Sequence, residues 1–202
     1  MNTTLTAVRA SRARVLALGA GALAAVVAAL VVWRSHGTSV EVPYDDPQSA
    51  GLLTLCSEDG KAVTRGKVDD RPFAGAVIGE TALPSDQDPQ GAVATLFAYQ
   101  PRKGIAAGEF SGTPLTAAGV LVDPDRPAVA VTGDVWSVGD FVTAYPADDD
   151  GFVQLRLYLG TAQAGTLTEG SYDTADLRVD GDTWELVRGG DASCADSSAL
   201  LP

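Results

Sequence analysis

Residues 152–159 read FVQLRLYL, which from Val153 onward alternates apolar and polar positions. Strand side chains alternate between two faces, so Val153, Leu155, Leu157 and Leu159 share one face and Gln154, Arg156 and Tyr158 the other. The first row predicts a core surface and the second an outward one. Gly, Pro and Asp cut the flanking sequence into runs of similar length. Strands are expected at residues 52–56, 62–64, 72–79, 92–99, 117–122, 128–132, 177–179 and 183–187. In the run 92–99, Ala94, Leu96 and Ala98 oppose Val93, Thr95, Phe97 and Tyr99. Asp180-Gly181 lies between the last two runs and suits a type I′ hairpin turn. Eight or nine short strands with this punctuation predict a mainly β fold, an Ig-like or related β-sandwich.

One segment breaks the period of two. In residues 137–145 the apolar positions Val138, Phe141, Val142 and Tyr145 fall at i, i+3, i+4 and i+7, which is helical spacing. Ser137 is available as N-cap and Pro146 as a stop. A single short crossover helix is expected there.

Charge is distributed unevenly over the 202 residues. Residues 1–34 carry +4 and residues 35–202 carry −16. Nucleic acid is thereby excluded as a partner, because binding it means neutralising phosphates with Lys and Arg. The chain has one histidine, His36, which removes most acid–base and zinc chemistry. No P-loop, G-x-G-x-x-G or G-x-S-x-G context appears.

Residues 15–33 (VLALGAGALAAVVAALVVW) are uncharged. At about 1.5 Å per residue this stretch approaches the ~30 Å hydrocarbon core of a bilayer. Arg12 and Arg14 precede it, and Trp33 with Arg34 closes it as an interfacial anchor. The excess of Arg before the stretch puts the N-terminus in the cytoplasm. The rival reading is a cleaved signal peptide and a secreted product. A run longer than a ~7–15 residue h-region, ending in bulky residues, argues for retention. The expected organisation is a cytoplasmic tail at 1–14, a transmembrane helix at 15–33 and a juxtamembrane linker at 34–50. A β-sandwich domain at 51–197 and a C-terminal tail at 198–202 follow.

Cys56 and Cys194 lie at opposite ends of that exported part, where an oxidising compartment lets them pair. Closing so long a loop stabilises by about 4–5 kcal/mol in the chain-entropy model. A catalytic thiolate would need a base, and the only histidine lies beside the membrane.

Carboxylates are what remains for chemistry. Asp86 with Asp88, Asp123 with Asp125, and Asp148, Asp149 and Asp150 are the clusters that calcium would use, since it takes oxygen ligands from loops. The competing reading is that Asp marks turns and keeps the surface soluble. No other cofactor is expected. A carboxylate pair for glycoside hydrolysis is a further option, but so many acids make pairs by chance. Flat rings form sugar-binding surfaces. Tyr158 on the outward row and Trp136 are the candidates, while Trp184 in TWELV belongs to the core.

Asp70–Ala74 (DRPFA), Ala94–Arg102 (ATLFAYQPR), Val153–Gly160 (VQLRLYLG) and Val179–Trp184 (VDGDTW) resemble a group of uncharacterised membrane-anchored or exported β-rich proteins of actinobacteria. The resemblance runs through most of residues 51–194 and implies an extracytoplasmic β domain, with no activity to carry over. The expectation is a membrane-anchored, extracytoplasmic, non-catalytic binding or surface-structural module. Its partners are the cytoplasmic membrane and either cell-wall polymer or another exported protein. The alternatives are a cell-wall carbohydrate-binding module and a carboxylate-based hydrolase. Residues 82–91, 102–115 and 147–151 are the loops best suited to contacts.

Overall fold

The structure is a computed structural model and describes residues 41–202 except 162, 164, 168 and 169. The expected tail at 1–14, the transmembrane helix at 15–33, its flanks Arg12, Arg14, Trp33 and Arg34, and His36 lie outside the described residues. Among the described residues, no helix is long and apolar enough to cross a membrane.

The described chain is mainly β. In order it runs β1 (Ser49–Cys56), β2 (Arg65–Lys67), β3 (Ala76–Gly79), β4 (Ala92–Gln100), β5 (Ser111–Pro114), β6 (Gly119–Val120) and β7 (Ala128–Ala130). Helix α1 (Val138–Ala144) leads into β8 (Phe152–Thr161), β9 (Gly165–Thr166), β10 (Tyr172–Asp180) and β11 (Thr183–Arg188). The strands form one open hydrogen-bonded network with the path β5-β4-β8-β10-β1-β3-β7. Strand β11 lies beside β10, and β2 beside β11.

The hydrogen-bonded path is continuous from β5 to β7, and β1 is the reason. Its first half pairs in parallel with β10, Leu52 opposite Thr174, and its second half pairs antiparallel with β3, Leu53 opposite Gly79. One strand thus hydrogen-bonds a different neighbour along each half and joins the two sets of strands. Leu53, Leu55, Val77 and Val129 from its far side join Leu96, Leu155, Leu157 and Leu177 in one core.

The pattern of residues 92–99 holds: Ala94, Leu96 and Ala98 are buried, opposite Leu159, Leu157 and Leu155 of β8. Around residues 62–64 only Ala62 bridges to Cys56, and the strand forms later, at β2. In the β10–β11 hairpin Asp180 pairs with Thr183, and of the two turn residues only Gly181 has positive φ, +58°. A type I′ turn needs two such residues, so that expectation is corrected.

Helix α1 forms where the period changed. Ser137 Oγ accepts from the Asp140 N–H at 3.1 Å, and the Asp140 carboxylate accepts from the Ser137 N–H at 2.8 Å, a reciprocal capping box. Val138 and Phe141 are buried, and Tyr145 stacks on Phe141 before Pro146 ends the helix.

Both expected domain edges move outward. Residues 41–48 were expected as linker, yet Tyr44, Asp46 and Gln48 dock on the sheet, and the Tyr172 N–H donates to the Gln48 carbonyl. Leu200, expected in a free tail, is buried with Cys56, Ala76, Ile78 and Ala128. Apolar and polar anchors at each end gain more from docking than the segments lose in freedom.

Candidate functional site

Cys56 and Cys194 are joined in a disulfide across 138 residues, with their Cα atoms 5.5 Å apart. The bridge ties the end of β1 to the segment that carries Leu200.

The acidic clusters serve their own turns. The Asp88 carboxylate accepts from the Gln90 N–H at 2.9 Å, and the Asp123 carboxylate from the Asp125 N–H at 3.0 Å. Asp150 adopts φ +52°, a left-handed turn position that Asp tolerates. Among the described residues no three Asp, Glu, His or Cys side chains converge as a ligand set. Asp86, Asp88, Asp123, Asp125, Asp148, Asp149 and Asp150 therefore form no shared cage.

Trp136 is exposed at 42%, whereas Tyr158 is 2% exposed, which corrects its assignment to the surface. Gln154 and Arg156 of the same row are buried too. The alternation of FVQLRLYL is real, but both faces of β8 are covered. Tyr44, Asp46, Phe110 and a 3-10 turn at Ala107–Glu109 lie over the second face.

Arg156 organises that covered face. Its Nε donates to Gln154 Oε1 at 2.6 Å, and Nη2 donates to the Ala107 carbonyl at 2.8 Å. Its guanidinium stacks 4.0 Å from the Tyr99 ring centroid and 4.6 Å from that of Tyr172. Asp46, itself wholly covered, balances the charge at 3.7 Å and accepts from the Tyr172 hydroxyl at 3.0 Å. A second pair lies nearby. Arg188 Nε donates to Asp176 at 2.5 Å, and the Tyr44 hydroxyl donates to the other Asp176 oxygen. Burial pushes the Asp176 carboxyl up from its ordinary value, against the pull of Tyr44 and Arg188. Burial likewise raises the Tyr44, Tyr99 and Tyr172 hydroxyls. Each charge has a partner, and Arg156 offers no open surface to a ligand. This network holds the entering segment on the sheet.

An open site lies on the other face of the same strands. A cavity of about 220 Å³ is bounded by residues 81–84 and Gln87, by Leu157 and Leu159 of β8, and by Leu167 and Asp173. Asp173 sits opposite Leu157 in the β10–β8 register, hence in the core-facing row, and is 3% exposed. Both of its oxygens are engaged by Thr81: the N–H donates at 2.8 Å and the hydroxyl at 2.5 Å. Space for the carboxylate exists because two neighbours are glycines. A Cβ on Gly51 would stand 2.6 Å from one oxygen, and a Cβ on Gly79 2.5 Å from the other.

The loop at residues 82–91, expected to be useful for contacts, supplies Ala82, Leu83, Pro84 and Gln87 to this cavity. Asp173 went unnoticed because the strand was expected to start only at residue 177. Carrying the parity of Leu177 back by twos through Ala175 reaches Asp173, the signal that locates it.

These features define a mainly β domain built on an open sheet, with a small, largely apolar cavity and one buried acid in its wall. Family models, curated proteins and solved structures provide no match to the chain.

Proposed function

We propose that this chain is a membrane-anchored, extracytoplasmic binding module that does no chemistry of its own. The cavity beside Asp173 is the observation that carries the reading. It is concave and apolar with a few fixed polar groups, as small-ligand sites are. Asp173 is the one carboxylate among the described residues lining it, whereas carboxylate-based glycoside hydrolysis uses two. A sugar platform wants several exposed rings, and with Tyr158 in the interior that alternative keeps only Trp136 of its two candidates.

Anchoring rests on the uncharged run at 15–33 and its arginine flanks. The Cys56–Cys194 bridge favours an oxidising compartment outside the cytoplasm. The resemblance to exported actinobacterial proteins points the same way, and calcium has no role in the reading. A sandwich-type frame is supported by the single core shared by β1, β3 and β7 with β4, β8 and β10. Partners would then be wall polymer or another exported protein, in addition to small ligands.

Protease added to intact spheroplasts tests the location: digestion of residues 41–202 supports the reading, and full protection overturns it. A fragment-binding screen by NMR tests the cavity. Shifts confined to Thr81, Leu157, Leu159 and Asp173 are expected, and no binder at these residues would remove the binding role.

A further inference from the structure

A carboxylate in an apolar wall is costly unless a cation or a full set of donors meets it. Asp46 and Asp176, whose side chains are wholly covered, each face an arginine. Asp173 does not. Among the described residues its hydrogen bonds come from Thr81 alone, and no ion pair reaches it. A carboxylate offers about four lone-pair sites, so two acceptor positions remain beyond the Thr81 donors. The glycines at 51 and 79 keep that group in place at the cavity wall, where a larger residue would displace it.

Most of the remaining wall is hydrocarbon, from Leu83, Pro84, Pro127, Leu157, Leu159 and Leu167, with Gln87, Ser171 and Tyr172 as its neutral polar members. The volume of about 220 Å³ equals about seven water volumes at ~30 Å³ each. It lies below the ~300–1,000 Å³ of drug-sized pockets. An anionic wall, apolar sides and this size together select a short alkyl chain ending in a cation.

We propose that the cavity binds a small, free primary alkylamine of about six carbons. The ammonium takes the open acceptor positions of Asp173, and the stem lies against Leu157, Leu159 and Leu167. This rests on the binding-module reading and gives its ligand a chemical class. An ammonium bonded to a carboxylate away from water is stronger than a neutral hydrogen bond, so the charge should decide affinity.

The test titrates the full-length chain with hexylamine and with 1-hexanol at pH 7, following the Thr81 and Asp173 amides by NMR. Hexylamine is expected to bind roughly ten- to a hundredfold more tightly than hexanol. Asp173→Asn, which retains the shape of the side chain, should abolish that preference. Should the variant fail to fold, Leu167→Trp serves instead, because a bulky ring at this half-exposed lining position takes up cavity space and should abolish hexylamine binding. Equal binding of amine and alcohol, or unchanged amine affinity in both variants, overturns the amine proposal while leaving the binding module standing. Failure of both probes and of every fragment at these residues overturns both. Tighter binding of an N-acetyl-lysine amide than of hexylamine also overturns it, since the occupant would then be a protein side chain.

Discussion

Replacing Arg156 by alanine is expected to destabilise the domain by about 3–5 kcal/mol, the usual cost of removing one partner from a buried ion pair. The structure says what is lost. The guanidinium gives up its bonds to Gln154 and the Ala107 carbonyl and its stacking on Tyr99 and Tyr172. Asp46 is left wholly covered, with the Tyr172 hydroxyl and its own turn as the remaining donors. The individual contacts would sum to more, but they are not additive, and the orphaned carboxylate dominates. For a unit of this size each kcal/mol moves Tm by about 2–4 °C, so a fall of about 6–20 °C is expected. Urea unfolding followed by tryptophan fluorescence measures it, since Trp184 is buried in the core. Adding Asp46→Asn to the Arg156→Ala background should recover about 1–3 kcal/mol, because it removes the stranded charge. A loss below about 1 kcal/mol with no coupling to Asp46 would refute the view that this pair fastens residues 44–48 to the sheet.

Four further outcomes are expected. Ser137→Ala should cost about 1 kcal/mol through the lost cap, read as a drop in melting temperature. The Ser137 N–H, foremost, holds the Asp140 carboxyl below its ordinary value, so the folded state favours the ionised form. The contribution of Asp140 is therefore present at neutral pH and fades as pH falls below about 4 through its lowered pKa. Melts of wild type and Asp140→Asn should differ at pH 7 and converge at the acid end. Reducing the Cys56–Cys194 bridge should destabilise by about 5 kcal/mol in the chain-entropy model, with unfolding measured in the presence and absence of reductant. Gly79→Ala should cost about 1–3 kcal/mol by driving a methyl group into Asp173. The same change should cost less in an Asp173→Ala background, and a purely additive double mutant would disprove that cause.

Local rules made α1 legible, because a capping serine, an i, i+3, i+4, i+7 row and a following proline all act within a few residues. The pairing of Cys56 with Cys194 was legible for a different reason: with two cysteines there is one possible intramolecular bridge. The long strands β4 and β8 were visible through alternation, and the core row of β8 was read correctly. The two-residue strands β6 and β9 and the short β5 carry too few residues for a period to register. Strand β10 was seen in part, because Asp173 and Asp176 read as turn residues until their pairing with β8 was known.

From the sequence alone, the β-rich character, the short helix α1 and the facing of alternate residues could be settled, since each depends on neighbours along the chain. Which faces stay wet could not. Whether Arg156 and Tyr158 meet solvent depends on Tyr44, Asp46 and Ala107, brought over them from far away in the chain. The chemistry of Asp173 likewise depends on Thr81 and on two glycines, Gly51 and Gly79, supplied by β1 and β3. Alternation assigns a side chain to a face of its strand; only the folded chain determines what covers that face, and so whether a charge there is paired inside, solvated, or left open to a ligand.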